Sequence, residues 1–263
     1  MSADWIQVSR GTAPLIVSLP HTGPELAGAF ASLDRARFDA DWHIDRLYAF
    51  AHQAFGATLV RTPISRSVID VNRDPSGVSL YPGQTTTGLC PTETFAGEPL
   101  YHDDLAPDAA EIERRRQSWF DPYHDALSGE IARLRDQHPR IVLYEAHSIR
   151  SVVPRLFDGV LPQFNIGTDH GRTCDPALQS AVTTVCADSG LGHVVNGRFR
   201  GGWTTRHYGR PQEGVHAIQM ELAMRGYLDE DQPWPPAWDS ARAAPLQAIL
   251  RDVLAACLTF AKA

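Results

Sequence analysis

The stretch that decides the fold is Arg140-Ile141-Val142-Leu143-Tyr144-Glu145-Ala146-His147-Ser148-Ile149-Arg150. Residues 141–144 form an unbroken apolar run, the pattern of a strand buried on both faces of a parallel sheet. The run gives way to Glu145, His147 and Ser148 where such a strand emerges. In open α/β sheets ligands bind at strand ends, because the loops there are free to present polar groups. A carboxylate, an imidazole and a hydroxyl at this tip are therefore candidates for a site. On this stretch alone, a strand-end His satisfied by hydrogen bonds explains them equally well.

Working outward, the same form recurs. Residues 14–19 predict the first buried strand, closed by the turn Pro20-His21-Thr22-Gly23, which again delivers a His at the tip. Residues 32–40 read as a polar linker. Asp41-Trp42-His43-Ile44-Asp45 opens a helix expected to reach about Gln53. Its acidic first turn suits the helix dipole; alternatively, His43 and Asp45 face His21 and ligate a metal. Thr58–Arg61 predicts another strand. So do residues 65–74, where Val68, Ile69 and Val71 place Arg66 and Arg73 at the two ends. Guanidinium forks so placed can meet carboxylates in one cleft, unless they pair with Asp70 or Asp74. Residues 215–222 predict a strand with Glu221 near its end, an odd place for a core carboxylate and a natural one for an active site.

Two loops stand out. Residues 75–99 are rich in Gly, Pro and Thr; a loop this long in a compact domain is usually functional or disordered. Tyr81, Leu89 and Phe95 give it something to pack with, which predicts an ordered lid. Residues 197–210 read as a second, cationic loop. It has neither a phosphate-loop Lys nor a GxGxxG pattern, so a nucleotide site is not indicated. Helical periodicity covers 107–138, divided in two by Asp121-Pro122. It recurs after Asp175-Pro176 as far as Gly190, and again over 245–260. Alternating strands and helices predict one α/β domain spanning 1–263.

A net charge of -7 over 263 residues argues against nucleic acid as a partner. Cys90, Cys174, Cys186 and Cys257 form no CxxC pair. That argues against a thiolate zinc site and a disulfide framework, and suits a reducing cytoplasm. The N-terminus lacks the basic-then-apolar pattern of a leader, and no run approaches the ~20 apolar residues that span a bilayer. His21, His43, Asp45 and His147, all at element tips, are the candidate metal ligands. Catalytic zinc takes three protein ligands from His and carboxylate.

The segments Ser-Leu-Pro-His-Thr-Gly, Asp-Trp-His-Ile-Asp-Arg-Leu-Tyr, Ser-Arg-Ser-Val-Ile-Asp-Val-Asn-Arg, Glu-Ala-His-Ser-Ile-Arg, Arg-His-Tyr-Gly-Arg-Pro and Gln-Met-Glu-Leu resemble the N-formylglutamate amidohydrolase (deformylase) family, over about Leu15 to Tyr227. That family looks distantly related to the zinc carboxypeptidases and the aspartoacylase group. The resemblance implies a three-layer α/β/α fold of phosphorylase/hydrolase type with a mostly parallel mixed sheet. It also implies hydrolysis of N-formyl-L-glutamate to formate and L-glutamate in histidine degradation, with one zinc ion per chain. By the order of motifs it implies His21, Asp45 and His147 as metal ligands. Glu221 becomes the general base, Arg66 a catalytic and substrate-binding cation, and Asn72, Arg73 and, from the second loop, Arg210 or Arg206 further substrate contacts. The relatives carry their first ligands as His-x-x-Glu, whereas Pro24 stands at the Glu position here. The acidic ligand is therefore expected from the next segment, at Asp45 in preference to His43. The expected partner is a small molecule bearing carboxylates. A deacylase for another N-acyl amino acid keeps the same metal site, and a metal-stabilised binding protein has no use for Glu221.

Overall fold

The computed structural model of the chain describes residues 5–102 and 105–263. The expectation that no leader is present rests in part on residues 1–4, which lie outside these. In chain order the elements are β1 (Gln7–Ser9), β2 (Leu15–Leu19), α1 (Leu33–Arg37), α2 (Ile44–Leu47), α3 (Phe50–Phe55), β3 (Thr58–Arg61), α4 (Ala109–Arg115) and α5 (Asp121–Arg135). There follow β4 (Ile141–Ile149), β5 (Phe164–Gly167), α6 (Pro176–Asp188), β6 (His193–Val195), α7 (Trp203–Tyr208), β7 (Val215–Ala223) and α8 (Ser240–Lys262).

The strands make one mixed sheet in the order β1-β3-β2-β4-β7-β5-β6. Its centre, β3-β2-β4-β7, is parallel throughout, while β1 and β5 join it antiparallel. Alternation along the central strands separates two apolar layers. Leu15, Val17, Val142, Tyr144, Ile218 and Met220 face α3, α6 and α8, whereas Ile16, Ile141, Leu143, Val215 and Ala217 face α5. The result is helix, sheet, helix, the three-layer α/β arrangement. On the α5 side the apolar series stops part-way along each strand. After Ile141 and Leu143 the same face carries Glu145 and His147; after Val215 and Ala217 it carries Gln219 and Glu221. The register pairs His147 with Glu221 on neighbouring strands.

Several local expectations are corrected. Residues 65–74 form turns rather than a strand. The Ser65 carbonyl accepts from the amides of Val68 and Ile69, and the Asp70 carboxylate accepts from the Asn72 amide. Val68, Ile69 and Val71 are apolar because they fill the layer beneath α5. Residues 33–37 are helical, capped by Ser32. Asp121-Pro122 does not divide the long helix. A wide π turn at Arg116–Phe120 joins α4 to α5 and absorbs the proline, which lacks an N–H to give the preceding turn. The second loop contains α7. Helix α8 is, by length and composition alone, apolar enough to cross a membrane. Here Leu246, Leu250, Val253, Leu254, Cys257 and Ala261, spaced by three and four, pack into the core.

Candidate active site

Three side chains converge where the α5-side apolar layer ends. His21 follows the tip of β2, His147 lies near the end of β4, and Asp41 stands before α2, its backbone amide donating to the His21 carbonyl (2.9 Å). One ligand atom from each lies within 4.8 Å of the others, and all three residues are buried. The His21 ring donates from Nε2 to Asp70 Oδ1 at 2.6 Å, which leaves its Nδ1 lone pair facing Asp41 Oδ2 at 3.6 Å. His147 turns Nδ1 to Asp41 Oδ2 at 3.0 Å; its Nε2 lies 3.0 Å from the Asn72 amide nitrogen and 3.5 Å from Glu145 Oε1. Each ring thus presents Nδ1 to a common centre and has a carboxylate behind it, the arrangement that orients imidazole ligands of metals.

The electrostatics agree. Burial disfavours a charged ring at His147, yet the carboxylates of Asp41 and Glu145 raise it to about 10. Burial likewise opposes ionisation of Asp41, but His21 and His147 hold its carboxyl well below the usual range. Arg73, His21 and Arg66 do the same for the buried Asp70. His21 Nδ1, Asp41 Oδ1 and Glu145 Oε1 are buried without hydrogen-bond partners. A buried imidazole nitrogen and buried carboxylate oxygens without hydrogen bonds are costly unless something positive completes them. The donor set fits a divalent metal.

Asp45 is not part of this group. Its Oδ2 accepts from Arg61 NH1 at 2.7 Å, with 34% of its side chain exposed. His43 is also turned away, its ring meeting the Pro236 carbonyl at 3.0 Å. The reversal lies at His43 itself, whose φ of 59° sends the chain into a left-handed turn and sets Asp41 and Asp45 in different directions. The acidic member of the cluster is therefore Asp41, which sequence reasoning assigned to the helix dipole.

One cavity opens beside the cluster, lined by His21, His147, Glu221, Arg66, Asn72 and Arg73, with Phe95, Ile149, Phe199 and residues 85–87 completing its walls. Glu221 is 7% exposed. Burial pushes its carboxyl up to about 8, Asp41 adds to this, and His147, Arg66 and Arg73 oppose it. Arg66 bonds Asp70 Oδ2 at 2.7 Å, reaches Asp41 Oδ1 at 3.6 Å and lies over the Phe95 ring. Arg73 lies 3.6 Å from Asp70 and donates to the carbonyl and hydroxyl of Thr87, tying the 75–99 segment to the cavity floor. The Asn72 amide stands between His147 and α7. Nδ2 meets His147, and Oδ1 accepts from the Thr204 amide at 2.9 Å as α7 begins. Gly202 permits that approach, since a Cβ there would come within 2.3 Å of the Asn72 amide. Arg210 does not reach the cavity. It follows α7 on the exposed surface, its backbone bridging to Val215.

Comparison with known proteins bears on the family and the fold. Residues 13–228 match the N-formylglutamate amidohydrolase family. The N-formylglutamate deformylase of Pseudomonas aeruginosa is 44% identical over 262 residues, covering 98% of this chain and 97% of that one. Its namesake from Pseudomonas putida is 45% identical over 95% of this chain and 94% of its own. Among solved structures, N-formylglutamate amidohydrolase from Ralstonia eutropha superposes with a TM-score of 0.79 at 25% identity, covering 98% and 97% of the two chains. A gene product of Agrobacterium tumefaciens shares the fold, with a TM-score of 0.74 at 19% identity over 98% and 96%. A match over most of the chain, relatives this similar over their whole length and a common sheet leave one assignment: the chain belongs to the N-formylglutamate amidohydrolase family.

Proposed function

We propose that the chain hydrolyses N-formyl-L-glutamate to formate and L-glutamate, using a divalent metal, zinc, held by His21, Asp41 and His147. The observation that carries this reading is the buried two-imidazole, one-carboxylate cluster opening on the same cavity as Glu221, in a chain 44% identical to an N-formylglutamate deformylase. Two imidazoles and a carboxylate suit zinc. A divalent ion in such a site supplies Lewis acidity, makes water nucleophilic near neutral pH and favours the ionised form of a neighbouring carboxyl.

The remaining work falls to the chain. Glu221, as carboxylate, takes the proton of the attacking water and returns it to the amine nitrogen of glutamate as the C–N bond breaks. Arg66 carries positive charge to the oxygen that becomes anionic on the formyl carbon. Asp70 and Glu145 orient the His21 and His147 rings, and Asn72 braces His147. Arg73, with a fifth of its side chain exposed beside the cluster, holds the carboxylate on Cα of the substrate. Residues 75–99 act as a lid that excludes water. Histidine degradation is the proposed pathway and the cytoplasm the proposed compartment; the four buried free thiols support the latter.

The test is hydrolysis of N-formyl-L-glutamate, N-acetyl-L-glutamate and N-formyl-L-methionine, read as release of formate or, from the acetyl substrate, acetate, with zinc counted per chain before and after chelation. Formate released from the first substrate in preference to the others, lost with the metal and regained on its return, is the expected result. Activity independent of any metal, or confined to another acyl group, overturns the reading.

A further inference from the structure

The cavity contains a cation that the site described so far does not use. Arg198 lies between β6 and α7 and lines the same space as Glu221 and Arg73. Its Nε donates to the Leu156 carbonyl at 2.7 Å and its NH2 group to the Thr85 carbonyl at 2.8 Å. The guanidinium packs against the rings of Tyr81 and Phe199, each 5.5 Å away. These contacts fix the fork and leave NH1 without a protein partner among the described residues. Two other cations lining the cavity, Arg66 and Arg73, share the Asp70 carboxylate. No carboxylate among the described residues lies within ion-pairing distance of Arg198. Burial lowers its pKa, outweighing the opposing influence of Tyr81 and Glu221. Building such a group into a cavity wall costs free energy unless a bound anion offsets it.

We propose that Arg198 binds the side-chain carboxylate of the substrate and thereby sets the preference for acidic N-formyl amino acids. The proposal rests on the hydrolase reading for the identity of the substrate. The placement follows from the two arginines. Arg73 is linked through Asp70 to His21, so it stands at the metal end, where the carboxylate on Cα lies next to the scissile nitrogen. Arg198 touches no member of the cluster. It is held by carbonyls of the two segments that roof the cavity, at the end where a carboxylate on Cγ would arrive. A planar fork with two donors pinned and others free is suited to a bidentate carboxylate.

The variant is Arg198→Gln, with N-formyl-L-glutamate and its near-isosteric amide N-formyl-L-glutamine as paired substrates. On N-formyl-L-glutamate, kcat/KM should fall about 100-fold, mainly through KM, the scale for losing one partner of a buried charge pair. On N-formyl-L-glutamine the change should stay within about threefold, the mark of a contact that substrate never makes. Arg198→Lys should recover part of the preference. Arg206→Gln controls for a structural role, because Arg206 also pins the lid, through the Leu80 carbonyl at 3.1 Å and the Tyr81 ring at 5.0 Å, without lining the cavity; it should leave the ratio between the two substrates unchanged. Equal losses on both substrates in Arg198→Gln, or no loss on either, overturn the proposal. A binding arm separates it from the hydrolase reading. By calorimetry, the zinc-loaded wild type should bind L-glutamate in preference to L-glutamine, and Arg198→Gln should not discriminate. If the wild type releases no formate, the hydrolase reading fails while loss of discrimination still supports Arg198. Discrimination retained in the variant, or absent from the wild type, refutes it.

Discussion

Replacing Asp41 by Asn keeps the outline of the side chain and removes one charge from the centre of the cluster. Its Oδ2 lies 3.0 Å from His147 Nδ1 and 3.6 Å from His21 Nδ1, and it supplies the anionic ligand atom of the group. Changing a residue that merely orients a metal ligand costs 10–100-fold in affinity. Losing the ligand charge itself should exceed that, so zinc binding is expected to weaken by at least about 10³-fold, or about 4 kcal/mol. Asp45→Asn is the matched comparison. Its pair with Arg61 is roughly a third exposed on both sides, so it should cost under about 1 kcal/mol of stability and leave zinc binding unchanged. Competition for zinc against a chromophoric chelator measures both affinities on apo protein. Thermal midpoints with and without zinc check them, since ligand at 100 times its Kd adds about 2.7 kcal/mol. Wild-type zinc affinity in Asp41→Asn, or loss of zinc in Asp45→Asn, would refute the placement of the metal.

Glu221→Gln should lower kcat by at least about 10²-fold with zinc per chain unchanged; near wild-type formate release from zinc-loaded variant removes the proton-transfer role. Arg73→Ala should chiefly raise KM for N-formyl-L-glutamate, by a few kcal/mol in kcat/KM terms, and unchanged kinetics would make Arg73 a lid tether only. His124 is buried under α7, with Nε2 at 2.8 Å from the Val71 carbonyl, and burial lowers its pKa to about 4 from 6.5. A depressed histidine contributes stability that is complete above the unfolded value of 6.5 and lost as pH falls through about 4, here about 3 kcal/mol. Denaturation of wild type and His124→Gln at pH 7 and pH 4 should show the wild-type advantage shrinking by that amount; a constant difference would rule it out.

How much of this was legible in the sequence follows from where each signal resides. Buried parallel strands announce themselves as apolar runs, so β2, β4 and β7 could be read, with His21, His147 and Glu221 at their tips. Asp41 could not. An acid before a helix satisfies the dipole equally well, and choosing it over Asp45 requires knowing that His43 takes a left-handed conformation. No local pattern demands that of a histidine. Residues 65–74 misled for a related reason: Val68, Ile69 and Val71 report burial, and burial beneath α5 does not distinguish a strand from turns closed by Ser65 and Asp70. Arg210 stands outside the cavity, where the chain emerges after residues 203–208 coil into α7. Arg198 was visible only as one cation among several, since lacking a counter-charge is a property of three-dimensional surroundings.

The layering of the sheet also explains why the site lies where it does. Towards α5, each central strand is apolar only as far as that helix covers it, and the next inward positions carry Glu145, His147, Gln219 and Glu221. Such groups buried on a sheet face would ordinarily be neutralised. Arg66 and Arg73 are committed largely to Asp70, which leaves Asp41 and Glu145 answered mainly by the two imidazole rings. His147 accordingly holds a proton up to about 10 when no other cation is present. That proton marks the place where the fold requires positive charge. A divalent ion meets the same requirement and must displace the proton to do so, so metal affinity, ring protonation and the ionisation of Glu221 across the β4–β7 register are one coupled property of the site.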